Sequence, residues 1–190
     1  MENFNIQYDQ LQKMNLLKEY ILTHGKYKEI KKKERFATQG FLTKQGAYIE
    51  DGLFKYTKID TRGDEHIVGY AFSKEYLGGL AAFIEQSAPS PVTIEAVKDS
   101  WVYCLSFQEA EFFFAMNDDT QRVRRILVDS SYLLMYNRLL DFYCKNTEEL
   151  YLDLLNRCPD FQDYITLKEV ASFFQVTPET ISHIRKRLGK

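Results

Sequence analysis

The period of apolar and polar positions shifts as this chain proceeds. Residues 7–22, Q-Y-D-Q-L-Q-K-M-N-L-L-K-E-Y-I-L, carry the spacing of an amphipathic helix. From Tyr27 to Phe107 short alternating runs take over, separated by turn signals. Ala47–Glu50 leads through the turn Asp51-Gly52 into Leu53–Ile59, and Thr61-Arg62-Gly63-Asp64 makes a hairpin turn into His66–Phe72. Val92–Val97 and Trp101–Leu105 follow. Many short strands at this spacing predict a sandwich or barrel. From about Asp118 the period is helical, with no Pro or Gly before Pro159, which stops a shorter helix over Glu148–Cys158.

The C-terminal residues from Ile165 onward read as a helix-turn-helix. Thr166 is a candidate N-cap with Glu169 three residues later, the capping-box spacing. Leu167, Val170, Ala171 and Phe174 share one face, Gln175-Val176 forms the turn, and Thr177 caps a second helix with Pro178 at its first position. Ile181, Ile184 and Leu188 give that helix its buried stripe. Two steeply crossing helices need a small residue where they touch, and Ala171 stands there, with Val176, Ile181 and Ile184 as the apolar contacts. The turn usually carries Gly. Gln175 in a left-handed backbone would cost roughly 1 kcal/mol.

The second helix exposes Glu179, Thr180, Ser182, His183, Arg185, Lys186 and Arg187, with short polar groups first and cations last. A recognition helix uses that order, its first turns reading base edges while Arg and Lys grip phosphates. Together with the caps Thr166 and Thr177, these residues form the expected DNA-contacting set. The plainer reading is a hairpin that only packs, its basic residues satisfying the helix dipole.

In the long helix, Val123, Ile126, Ser130, Leu133, Asn137 and Leu140 follow alternating three- and four-residue steps. That is a coiled-coil seam, and a polar Asn137 in it would fix register. Leu127 and Leu134 widen the stripe, as they would if the helix also packed on its own barrel. The expectation is a dimer helix, against an ordinary core helix within one subunit.

Composition narrows the function. The 190 residues are 45% hydrophobic, enough for a sizeable core, yet contain no apolar run long enough to span a membrane. The N-terminus lacks a signal pattern, so a cytoplasmic location and no membrane partner are expected. The net charge of −2 requires DNA affinity to come from a local patch, which the last helix supplies. Cys104, Cys144 and Cys158 form no CxxC pair, so free thiols are expected rather than zinc or disulfides. His24, His66 and His183 stand too far apart for the HxH set of a cupin metal site, which argues against an enzyme and against any metal. Gly78 and Gly79 precede Leu80 and Ala81, where backbone N–H groups could face an anion.

The order of elements resembles the Crp/Fnr family of bacterial transcription regulators across nearly the whole chain, most closely the branch common in Bacteroidetes-type bacteria. The residues that carry it are I-E-D-G-L-F-K-Y (Ile49–Tyr56), Y-L-G-G-L (Tyr76–Leu80), V-T-I-E-A (Val92–Ala96) and V-T-P-E-T-I-S-H-I-R-K-R-L (Val176–Leu188). The resemblance implies an α+β chain: a double-stranded β-helix, or jelly roll, over 1–117, a dimerisation helix over 118–145, and a DNA-binding unit over 146–190. It implies a homodimer on double-stranded DNA with RNA polymerase as a further partner. The base-reading positions fall on Glu179, Ser182 and His183. A small-molecule effector would sit against Gly78, Gly79, Leu80, Ala81, Ser90, Val92 and Thr93.

The family's cyclic-nucleotide sensors hold the ribose with a Glu that aligns with Gly79, and the phosphate with an Arg that aligns near Ser90. An unpaired phosphate in a partly buried pocket is expensive, so cyclic AMP is not the expected effector. Residues 1–40 contain no Cys for an iron–sulfur cluster, and His66 is a weak haem ligand better placed at a hairpin, so no cofactor is expected. Relatives often continue into a wing. With Gly189-Lys190 ending this sequence, no wing is expected, and each phosphate left ungripped would flatten the log–log salt slope by about 0.9.

Overall fold

In a computed structural model, described for residues 14–78 and 88–189, eight strands and six α-helices are found. Helix α1 (Met14–His24) leads into β1 (Lys26–Ile30), β2 (Arg35–Ala37), β3 (Gln45–Asp51), β4 (Leu53–Ile59), β5 (Glu65–Phe72), β6 (Tyr76–Leu77), β7 (Thr93–Ala96) and β8 (Ser100–Ser106). Then come α2 (Phe107–Phe114), α3 (Asp118–Cys144), α4 (Thr147–Arg157), a 3-10 turn (Phe161–Asp163), α5 (Leu167–Phe174) and α6 (Pro178–Arg187). Residues 7–13 of the expected first helix and Gly79, Leu80 and Ala81 lie outside the described residues. No described helix is long and apolar enough to cross a membrane.

The strands form two antiparallel four-stranded sheets, ordered β1-β8-β3-β6 and β2-β7-β4-β5. Their inner faces enclose Ile49, Phe54, Ile94, Ala96 and Val102, so the expected jelly-roll core is present. The expected turn Asp51-Gly52 joins β3 and β4, which belong to different sheets, so it is a corner between the sheets. Gly fits because a Cβ there would come within 2.7 Å of Ser100. The Thr61–Asp64 turn is a true hairpin between β4 and β5, with Gly63 at φ +91°. The Asp60 carboxylate accepts the backbone N–H groups of Arg62 and Asp64, and His66 lies 3.2 Å away.

A bulge in β5 opposite Tyr56/Thr57 sets which residues leave the roll. Ala71 stays in the roll core, while Ile67, Tyr70 and Phe72 join a different cluster. That cluster includes Leu53 and Val97 of the roll together with Tyr151, Leu154, Phe161, Ile165, Val170, Phe174, Ile181 and Ile184 of the C-terminal helices. The roll and the helix-turn-helix therefore share one apolar core. Polar contacts reinforce it: Lys55 Nζ lies 3.1 Å from Glu169 and 3.4 Å from Glu95, and the Ile67 N–H donates to the Ser172 hydroxyl at 3.3 Å.

Helix α2 does not follow from the alternating pattern around it. Its start is a capping box, with Ser106 and Glu109 exchanging hydrogen bonds. Its buried Phe113 and Phe114 pack with Met14, Leu17 and Ile21 of α1, Tyr48, Leu105 and Val123.

Helix α3 divides along its length. Val123 is completely buried within its own chain, and Ile126 and Leu127 pack on the same cluster, so the first residues of the expected seam serve the subunit's own core. Ser130 is half-buried, whereas Leu133, Asn137 and Leu140 are exposed. With Tyr132, Met135, Tyr136, Leu139 and Tyr143 they form an exposed, largely apolar surface on the C-terminal half.

Candidate nucleic-acid interface

Helices α5 and α6 are set by local sequence. The Thr166 hydroxyl accepts the Glu169 N–H at 3.2 Å while the Glu169 carboxylate accepts the Thr166 N–H at 2.9 Å. Burial pushes the Glu169 carboxyl up, but the Thr166 donors and Lys55 together hold it below its usual value. The turn is a Schellman motif: Val176 N–H donates to Ala171 O at 3.0 Å and Gln175 N–H to Ser172 O at 3.2 Å. Gln175 adopts the left-handed backbone that the motif demands, φ 56° and ψ 41°. Thr177 caps α6 and Pro178 occupies its first turn. Val170, Ala171, Phe174, Ile181 and Ile184 are all buried, so the crossing is fixed by apolar contact.

Against that scaffold, Glu179, Ser182, His183 and Lys186 are exposed on α6. The Glu179 carboxyl is held below its ordinary value by its own backbone N–H, by Thr177 and by His183, so it is an acceptor at neutral pH. Thr166 and Thr177 are exposed, but their hydroxyls are committed to the caps, and Thr180 lies 3.2 Å from the Thr177 hydroxyl.

The three cations differ. Arg185 is half-buried and turns inward: its Nε donates to the Tyr151 hydroxyl at 3.0 Å, and its Nη2 is buried without a partner. Arg187 pairs with Glu148 at the start of α4. Lys186 is exposed in an open cleft lined also by Asn146, Thr147 and His183.

Of the residues expected around an effector, the described ones, Gly78, Ser90, Val92 and Thr93, are largely occupied. Ser90 is buried, its hydroxyl donating to Val92 O at 2.7 Å, and the Thr93 hydroxyl accepts the Gln39 N–H at 3.1 Å. Val92 packs on the roll core. The Gly78 N–H faces the Tyr56 hydroxyl at 3.5 Å, and burial pushes that phenol up to about 12. A second group of side chains that sequence reading missed lies close by: Glu75, Arg138 and Arg157. Glu75 is 4% exposed and accepts from Arg157 Nη2 through both oxygens at 2.9 Å.

Residues 27–117 match the cyclic nucleotide-binding domain family. No curated protein sequence matches the chain significantly. Among solved structures, the chain is similar to FixK2 from Bradyrhizobium japonicum, with a TM-score of 0.69 at 14% identity, covering 87% of this chain and 84% of that one. A candidate transcriptional regulator of the Crp/Fnr family from Eubacterium rectale gives 0.67 at 15% identity, covering 90% and 82%. CLP, the c-di-GMP responsive global regulator of Xanthomonas campestris, gives 0.62 at 15% identity, covering 90% and 89%. Residues 27–117 thus match the cyclic nucleotide-binding domain family, and the chain as a whole has the fold of Crp/Fnr-family transcription regulators.

Proposed function

We propose that this chain is a DNA-binding transcription regulator that works as a homodimer, not an enzyme. The observation that carries the reading is α6: a helix held on one side by Ile181 and Ile184, presenting Glu179, Ser182, His183 and Lys186 to solvent. Polar acceptors and donors in the first turns suit base edges, and the terminal cation suits phosphate. The exposed apolar half of α3 is the face through which a second copy would pack. Two-fold pairing there would present two α6 helices, which must stand about one DNA turn apart, roughly 34 Å, to read a near-palindromic site. Cyclic AMP is not the proposed effector. Ser90, near which the phosphate-binding Arg of the family's sensors aligns, carries no charge, and its hydroxyl is already spent within the loop. An effector would act only by favouring one arrangement of the two heads over another.

The test is fluorescence anisotropy of genomic DNA fragments titrated with the full chain across a salt series. Salt-sensitive binding that selects a subset of fragments is expected. Absence of salt-sensitive binding at any concentration would sink the regulator reading and leave a module of the same fold that binds a ligand or protein.

A further inference from the structure

The group around Arg138 is not used by the reading head. Arg138 leaves α3 and places its guanidinium over the Phe173 ring of α5, 4.5 Å from the centroid. It also meets β5, where Gly69 leaves room: a Cβ there would lie 3.6 Å from Arg138 Nη1, in ordinary contact. Arg157 leaves the last turn of α4 and stacks over Phe72 at 4.8 Å. Its Nη2 satisfies Glu75, but its Nε is buried with no partner.

The charge balance is uneven. Among the described residues, two guanidiniums share this corner with one carboxylate, and that carboxylate is committed to Arg157. No described carboxylate pairs with Arg138. Burial and the neighbouring Arg157 push the Arg138 pKa down to about 10, so it stays a cation at neutral pH. Arg138 is exposed and Arg157 keeps 22% of its side chain exposed, so a solute can reach both. A guanidinium whose faces lie on aromatic and backbone surfaces keeps its edge donors free, and edge donors are what bind planar or tetrahedral oxyanions.

We propose that Arg138 and Arg157 form a binding site for a compact oxyanion, a phosphate or carboxylate group, at the junction of the roll, α3, α4 and α5. The anion neutralises the surplus cation and supplies acceptors to Arg138. It thereby ties the dimerisation helix and the reading head to β5, which makes it a means for a small molecule to set the position of α6. The site goes beyond the DNA-reading proposal and does not depend on it, because occupancy is read on the protein alone.

The experiment is thermal unfolding of the full chain with inorganic phosphate and, separately, succinate, at ionic strength held constant with sodium chloride. For a saturating anion at a hundredfold excess over its Kd, the midpoint should rise by roughly 5–10 °C and level off. Arg138→Gln should abolish the saturable rise, while Arg138→Lys, which keeps the charge, should retain a weaker one. Arg157 is left intact because its replacement would strand Glu75. A response to phosphate alone or to succinate alone supports the site and assigns its oxyanion class. The proposal is overturned if neither anion outperforms chloride, or if Arg138→Gln responds as the wild type does.

Discussion

The inward turn of Arg185 makes a sharp prediction through Tyr151. This tyrosine is fully buried, packs edge-on against Phe161 at 5.4 Å, and accepts the Arg185 Nε–H at 3.0 Å. Tyr151→Phe keeps the ring and its packing and removes only the acceptor. A hydrogen bond to a charged group contributes about 1.5–3 kcal/mol. Arg185 is only half-buried, so water recovers part of the loss, and the lower end, about 1.5–2 kcal/mol, is expected. For a chain of this length that corresponds to a midpoint drop of roughly 3–8 °C. Urea denaturation at fixed protein concentration should show a lower midpoint with an unchanged slope. Arg185→Met, which keeps the stem, completes a double-mutant cycle. A coupling energy below about 0.5 kcal/mol, within the range where independent sites simply add, would refute the hydrogen bond as a stabilising interaction.

Other outcomes are equally definite. Gln175→Gly relieves a left-handed backbone at the cost of a more flexible unfolded chain, and should stabilise by up to about 1 kcal/mol in the same denaturation assay. Lys186→Ala should reduce the log–log salt slope of DNA binding by about 0.9 for each phosphate that the lysine neutralises, whereas Glu148→Gln, by releasing Arg187, should raise affinity for all sequences alike. Glu179→Ala should relax base choice at one operator position by roughly 1–3 kcal/mol, measured with a set of single-base operator variants. Glu169 has a lowered pKa in the folded chain, so its stabilisation is present above its unfolded value of 4.5 and lost as pH falls below that. Acid denaturation of Glu169→Gln should accordingly be less steep below that pH than that of the wild type.

The helix-turn-helix was legible because its determinants are local. Thr166 with Glu169, Thr177 with Pro178, and Ala171 at the crossing each act within a few residues, and the structure places all of them as the spacing implies. The β4–β5 hairpin was legible for the same reason. The inward position of Arg185 was readable: it lies four residues after Ile181, so the helical wheel already puts it at the edge of the buried stripe. Val123 begins the heptad pattern, but a pattern of apolar spacing does not say which surface covers it, and α1 and α2 reach it first. The Glu75–Arg157 pair joins residues 82 positions apart, and nothing in the periodicity of either segment announces the other. The corner at Gly52 escaped for a related reason, since a break between two strands looks alike whether they pair or part.

The bulge in β5 bears on grafting. Because it brings Ile67 onto the same face as Tyr70 and Phe72, against the C-terminal helices, this reading head is not a portable cassette. Transplanting residues 146–190 onto the roll of another regulator would leave Val170 and Phe174 without the surface they were shaped against, and would strip three large side chains bare on the donor. A chimera that changes DNA specificity while staying well folded would need the outer face of β5 to travel with the head.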